Sequence, residues 1–331
     1  MARRQWPGSA WHWAWLRHHA QLDRADGRPT GDSERAESGY DSHLQIAERS
    51  LNAQHIYLSP HCDDAVFSCG GQIAQLRRSS AAVTIYTVMA GDPPAGFTPT
   101  AFTDELHARW QGGLSAEQAL ATRRAEDQAA AQRLGAALVF GSHADAVYRV
   151  STATGAPLYT SREAIFGEIH PEDSATPEAL AQAFCAAFPQ LTPEVTLYAP
   201  LGVGHHVDHQ LVRAMALRLA AQFQLREVYF YEEFPYARDG LKARLRAVSE
   251  LAQAMRAHPE HFGLRAVLHK VVLDEEALNS KIAASACYRS QISSFWADQV
   301  ELERAFREQH AHSGGELCYR PLLRGEDQSS G

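Results

Sequence analysis

The chain has 331 residues, of which 45% are hydrophobic and 21% charged, with a formal net charge of −8. That length permits one large domain or two ordinary ones, and the composition is that of a soluble globular protein. The negative balance gives no reason to expect nucleic acid or an anionic membrane surface as a partner.

The chain opens on Met1 to Leu22, where four tryptophans are interrupted by His12, Arg17, His18 and His19. That pattern is neither a signal peptide nor an apolar span, and no run anywhere reaches the roughly 20 apolar residues of a membrane helix. Residues 23 to 44 are rich in Asp, Arg, Gly, Ser and Glu and read as linker. The expectation is a flexible extension over 1–44, a folded domain over 45–310 and a tail over 311–331. The five cysteines, Cys62, Cys69, Cys185, Cys287 and Cys318, are odd in number and form no CxxC pair. They argue against a disulfide framework and fit a reducing, cytoplasmic setting.

His55-Ile56-Tyr57-Leu58-Ser59-Pro60 reads as a buried strand, and Ala65 onward as a helix running to Arg78. Ala82 to Val88 is a β-branched strand. Residues 91 to 114 read as a long loop, and loops of that length are often functional. Ser115-Ala116-Glu117 opens an Ala-rich helix that Gly135 stops. Ala137 to Phe140 is a short strand, and 141 to 174 is irregular. Helices are expected over 177–188 and 207–223, and strands over 195–198 and 227–231. Strands alternating with helices predict an α/β fold, a doubly wound and mostly parallel sheet. Beyond residue 240 the alternation weakens, which predicts a smaller C-terminal portion of helices and short strands.

Two clusters carry chemistry. His61-Cys62-Asp63-Asp64 sits where the first strand hands over to its helix, and His205-His206-Val207-Asp208-His209 sits at the same kind of junction. Open α/β sheets place ligands at such carboxyl ends. His206 and His209 are three apart and share a helical face. Alone, an Asp-Asp pair at a strand end is more often a helix N-cap, and a His-x-x-His pair more often a surface face. Two clusters at equivalent positions favour joint function. Imidazoles with carboxylates suit a metal ion plus a general base, and hence hydrolysis.

Ser59-Pro60-His61-Cys62-Asp63-Asp64 with Ser68-Cys69-Gly70-Gly71, and Gly204-His205-His206-Val207-Asp208-His209, resemble the paired motifs of the LmbE-like or PIG-L family of metal-dependent de-N-acetylases. Their first motif usually reads His-Pro-Asp-Asp-Glu and their second His-x-Asp-His. Weaker matches are Arg123-Arg124-Ala125-Glu126, Asp145 to Arg149, and Tyr288-Arg289-Ser290-Gln291. The resemblance implies a Rossmann-like fold and one divalent metal, zinc with Fe²⁺ as the alternative, held by His61, Asp64 and His209. It implies Asp63 as general base and His206 as oxyanion stabiliser or proton donor to the amine. Asp208 would orient an imidazole, and Arg123 and Asp145 would contact substrate. For Arg123 an ion pair with Glu126 competes with that role, and for Asp145 a turn cap does. The implied substrate is a small N-acetylated glycoside or conjugate. Another amidase of the same fold, acting on thiol conjugates or longer acyl chains, is the alternative, and a non-catalytic sugar-binding module is the third reading. Three departures stand out: Cys62 for proline, Ala65 for glutamate, and Gly204 where some relatives carry tyrosine. Cys62 is not expected to ligate. Phe97, Phe102, Trp110 and Tyr148 could stack on a sugar ring or lie in the core.

Overall fold

A computed structural model describes residues 54–111 and 115–326. The chain divides into two units, Met1–Arg49 and Ser50–Gly331, and every described residue belongs to the second. The extension expected over 1–44 lies outside the described residues.

In chain order the elements are β1 (Gln54–Ser59), α1 (Asp64–Arg78), β2 (Ala82–Thr87), α2 (Ala101–Gln111), α3 (Ala116–Leu134), β3 (Ala137–Phe140), α4 (Arg162–Ile165), α5 (Thr176–Ala187), β4 (Thr196–Pro200), α6 (Val207–Phe223), β5 (Glu227–Tyr231), α7 (Leu241–Met255), β6 (Phe262–Val271), α8 (Glu275–Ser285), α9 (Arg289–Phe295), α10 (Gln299–Ser313) and β7 (Glu316–Leu323). The seven strands form one sheet in the order β3-β2-β1-β4-β5-β7-β6. The first five are mutually parallel, and β7 runs antiparallel to both β5 and β6.

Period-2 geometry explains why both faces are covered. In β1, Ile56 and Leu58 join a core cluster with α5 and α6, while Tyr57 joins the opposite cluster with α1, α8 and α10. Successive side chains of a strand point to opposite faces, so a run apolar at every position needs helices on both sides. Each fully buried aliphatic side chain of this kind contributes about 1.5–3 kcal/mol.

The chain winds outward from β1 through β2 to β3, then returns to β4 and proceeds to β5. The reversal leaves a crevice between the carboxyl ends of β1 and β4, where ligands of doubly wound sheets bind. The two chemical clusters follow these two strands.

Two sequence expectations need correction. The loop expected over 91–114 contains α2. Its start is fixed by a reciprocal pair: Thr103 Oγ1 accepts from the Thr100 amide at 2.6 Å, and Thr100 Oγ1 accepts from the Thr103 amide at 3.1 Å. The tail expected over 311–331 contains β7, which is paired on both sides. Pro321 within it cannot donate to a ladder. It lies opposite Ala266, where the β6–β7 register shifts, and beyond the Phe230–Tyr319 and Tyr231–Cys318 pairs with β5.

The C-terminal portion is locked to α1 by a buried ion pair. Lys281 Nζ lies 2.7 Å from Glu316 Oε1 and donates to the Ser68 carbonyl at 3.0 Å, and Glu316 also accepts from the Gly71 and Gln72 amides. We predict that Lys281→Met, which strands the Glu316 carboxylate, lowers stability by about 3–5 kcal/mol. Urea unfolding would read this, and an unchanged midpoint would refute it.

Candidate metal centre

The turn after β1 is built by short-range hydrogen bonds. Ser59 Oγ donates to the His61 carbonyl at 2.6 Å and accepts from the Ala65 amide at 3.0 Å. Asp64 Oδ2 accepts from the His61 amide at 2.8 Å. Asp63 occupies the N-cap position of α1, yet its side chain makes no cap bond. The side-chain cap expected of an Asp-Asp pair is therefore not made by Asp63, whose carboxylate is buried. Its charged neighbour is Arg123, whose Nη2 lies 4.0 Å from Asp63 Oδ1.

The second turn brings α6 in beside it. Gly202 (φ +91°) and His205 (φ +60°) both adopt left-handed backbone, and the turn delivers His206 as the N-cap of α6. His206 Nδ1 accepts from the Asp208 amide at 3.2 Å. A neutral ring with Nδ1 occupied as an acceptor carries its proton on Nε2. Burial, with the positive field of His61 and His209, holds His206 well below its ordinary pKa and so keeps it neutral.

The two clusters meet. His61 Nδ1 lies 3.1 Å and His209 Nε2 3.3 Å from the same Asp64 Oδ2. Both rings are fixed at their far nitrogens. His61 Nε2 lies 2.9 Å from Asp208 Oδ2, and His209 Nδ1 lies 3.0 Å from Glu233 Oε1. Burial would lower the pKa of each imidazole, but surrounding carboxylates outweigh it. Asp145, Asp208 and Asp64 hold His61 well above its ordinary value, and Asp64 with Glu233 raises His209 to about 9. Burial raises Asp64, but His209 and His61 pull it well below the usual carboxylate range. Asp63 is pushed up to about 7 by burial and by Asp64, against the pull of Arg123.

Among the described residues, two groups of donor atoms converge closely enough to hold a cation: His61, Asp64 and His209, and His61, His206 and Asp208. The first fits better. His209 Nε2 is buried without a hydrogen-bond partner, while Asp64 offers a carboxylate beside it. In the second group Asp208 is committed elsewhere. Its Oδ1 lies 2.5 Å from Arg149 Nη1, and its Oδ2 accepts from the Ala146 amide at 3.0 Å. A ligating histidine commonly donates its other nitrogen to a carboxylate, and both histidines of the first group are arranged that way. Neither group includes Cys62, a buried thiol whose pKa burial raises.

Arg123 and Asp145 are also brought to the crevice. Arg123 Nη1 lies 3.5 Å from Asp145 Oδ2, and its guanidinium sits 4.6 Å from the centre of the Trp110 ring. Glu126, the competing partner, accepts from the amide and hydroxyl of Ser290 instead. Asp145 serves as the turn cap and also lies beside His61. Its Oδ1 accepts from the Val147 amide as a turn cap, and its Oδ2 lies 3.6 Å from His61 Nε2. Phe102, Trp110 and Tyr148 are buried in a third core cluster against which Phe97 packs, and the Tyr148 hydroxyl lies 2.8 Å from His107 Nε2. The ring of Tyr236 fills the space at Gly204, where an added Cβ would come within 2.7 Å of it.

Glu233 and Arg149 were missed by sequence reasoning. The only signal for Glu233 is an acidic pair, Glu232-Glu233, directly after a strand. Arg149 closes the weak match Asp145 to Arg149 in an irregular stretch, but that match assigned it no role.

The parallel sheet, the crevice at its reversal and the paired His/Asp clusters define the LmbE-like class of α/β proteins. Residues 56–220 match the family model described as GlcNAc-PI de-N-acetylase, and the chain carries a domain of that PIG-L family. Among curated proteins it is similar to a 2'-N-acetylparomamine deacetylase of Niallia circulans, 29% identical over 199 residues, covering 55% of this chain and 66% of that one. A protein of the same description from Streptomyces fradiae is 31% identical over 206 residues, covering 61% of this chain and 64% of that one. The chain thus spans just under two thirds of each relative. Among solved structures, the zinc-inhibited form of teicoplanin deacetylase Orf2 aligns with a TM-score of 0.65 at 25% identity, covering 83% of this chain and all of that one. No helix among the described residues is long and apolar enough to cross a membrane.

Proposed function

We propose that the protein is a metal-dependent hydrolase that removes an N-acetyl group from an amino-sugar-type substrate, releasing acetate and a free amine. The observation that carries this reading is the donor group His61, Asp64 and His209, with both imidazoles fixed at their far nitrogens and an uncapped carboxylate, Asp63, beside them. The relatives named as deacetylases of N-acetylparomamine and of teicoplanin support the substrate class.

His61, Asp64 and His209 would hold one divalent cation, with zinc the first choice and Fe²⁺ the alternative. When bound, such a cation lowers the pKa of a coordinated water to about 7 and polarises a carbonyl. Asp63 takes the proton of the attacking water, and the oxygen adds to the amide carbonyl carbon. His206, neutral with its proton on Nε2, donates a hydrogen bond to the carbonyl oxygen as negative charge develops there. That assignment favours oxyanion stabilisation over amine protonation, because a neutral imidazole is a poor acid. Asp63 then returns its proton to the nitrogen as the C–N bond breaks. Asp208, neutralised by Arg149, holds His61. Arg123 and Asp145 face the crevice as substrate contacts.

The test is amine release from a panel of N-acetylated aminoglycosides, N-acylglucosaminyl glycopeptides and thiol conjugates, with the acid product identified. Acetate and amine from the amino-sugar members is the expected result. Turnover confined to thiol conjugates or to long acyl chains would replace the substrate assignment, and binding without turnover would overturn the enzymatic one.

A further inference from the structure

One buried carboxylate beside the centre takes no part in that chemistry. Glu233 is wholly buried. Its Oε1 accepts from the Gly202 amide at 2.6 Å and lies 3.0 Å from His209 Nδ1, and its Oε2 accepts from the Val203 amide at 3.1 Å. The backbone on either side is anchored. The Glu232 amide donates to the Leu317 carbonyl at 3.0 Å, and the Phe234 amide donates to Ser68 Oγ at 3.2 Å. The neighbouring Glu232 side chain turns away, to Arg244 and Tyr319. The acidic pair is thus split, one member serving the sheet and the other the site.

A carboxylate on Nδ1 keeps that nitrogen protonated, leaves a lone pair on Nε2 and makes the ring a stronger donor. Asp208 stands in the same relation to His61, but its charge is answered by Arg149. The other hydrogen-bond partners of Glu233 are neutral amides, so His209 is its one charge-bearing hydrogen-bond partner among these, with the Arg213 guanidinium acting on it without a hydrogen bond. The same side chain holds Gly202 and Val203, and thereby the turn that delivers α6. It fixes both the ring and the approach of the helix that carries the ring.

We propose that Glu233 is a positioning residue for the metal centre: its carboxylate holds His209 with Nδ1 protonated, aims Nε2 at the cation and strengthens binding. This rests on the reading of His61, Asp64 and His209 as that centre.

The test compares zinc affinity of the full chain, by competition with a chelating dye, for wild type, Glu233→Gln and Glu316→Gln. Glutamine keeps the size and one acceptor but drops the charge. Glu316→Gln removes another buried charge, that of the Lys281 pair, away from the donor atoms. At a temperature where all three are folded, Glu233→Gln is expected to lose about 10–100-fold in affinity, and Glu316→Gln to bind as wild type. Wild-type affinity in Glu233→Gln, or an equal loss in both variants, would overturn the proposal. If Glu233→Gln does not fold, Glu233→Asp is read the same way, since it shortens the reach to the ring: lost affinity supports positioning, unchanged affinity overturns it. A wild type that binds no zinc refutes the metal centre itself, and this inference with it. The wild-type isotherm therefore separates the two failures.

Discussion

Asp63→Asn is expected to abolish nearly all turnover while leaving the metal bound. Asparagine keeps the volume of the side chain at this buried N-cap position, where the helix takes no cap bond from it. The fold and the donor atoms of His61, Asp64 and His209 should therefore persist. What is lost is the group that accepts the water proton and returns it to the amine. General acid–base groups of this kind contribute about 10²–10⁴-fold, so kcat should fall by that order. Metal content and steady-state kinetics on one preparation check the prediction. Full activity in the variant would exclude Asp63 as the base. Loss of metal together with activity would make Asp63 a ligand.

His209→Ala is expected to fail in the opposite way, through the metal. It removes the one donor in the group whose ligating nitrogen is buried without a partner. Losing a direct ligand should cost more than the roughly 10–100-fold typical of losing an outer-shell partner. Zinc titration should then show substoichiometric binding and activity lost in proportion. The variant also leaves the Glu233 carboxylate with only its two backbone donors, a loss of about 1–3 kcal/mol in stability. Unfolding of the metal-free protein measures that part separately. The paired control is His206→Ala, which should retain metal and lose rate. If His206→Ala loses the metal and His209→Ala keeps it, the cation belongs to the His61, His206 and Asp208 group instead.

Much of the fold was legible because its strands and helices carry strong local signals. α6 and β5 begin and end where the pattern placed them. α3 starts on the Ser115–Gln118 capping box and stops at Gly135 in the left-handed conformation. α2 was lost because its apolar face is interrupted by His107 and Thr103, and its reciprocal cap uses two threonines rather than a Ser/Glu pair. β7 lies in the stretch read as tail, and what makes it a strand is its pairing with β5 and β6, far from it in the chain.

The weak motif matches carry information that only became readable in three dimensions. Arg123-Arg124-Ala125-Glu126 and Tyr288-Arg289-Ser290-Gln291 are far apart in the chain. They meet through Glu126 with Ser290, and through Asp127, the next residue on, with the Tyr288 hydroxyl at 2.6 Å. Arg123, freed of Glu126, is left to face Asp63 and Asp145.

The sequence by itself determined that His61, Asp63, Asp64, His206 and His209, candidate ligands and acid–base groups, stand at strand-to-helix turns. Those are local properties: residue type, spacing, and the periods of strand and helix. Only the tertiary structure decided which groups touch. The order in which strands pair puts the β1 and β4 turns on either side of one crevice, and it sends Asp208 to His61 and Glu233 to His209. Such pairings join side chains from different elements, 147 residues apart for His61 and Asp208 and 24 for His209 and Glu233, and no local pattern records the partner at the other end.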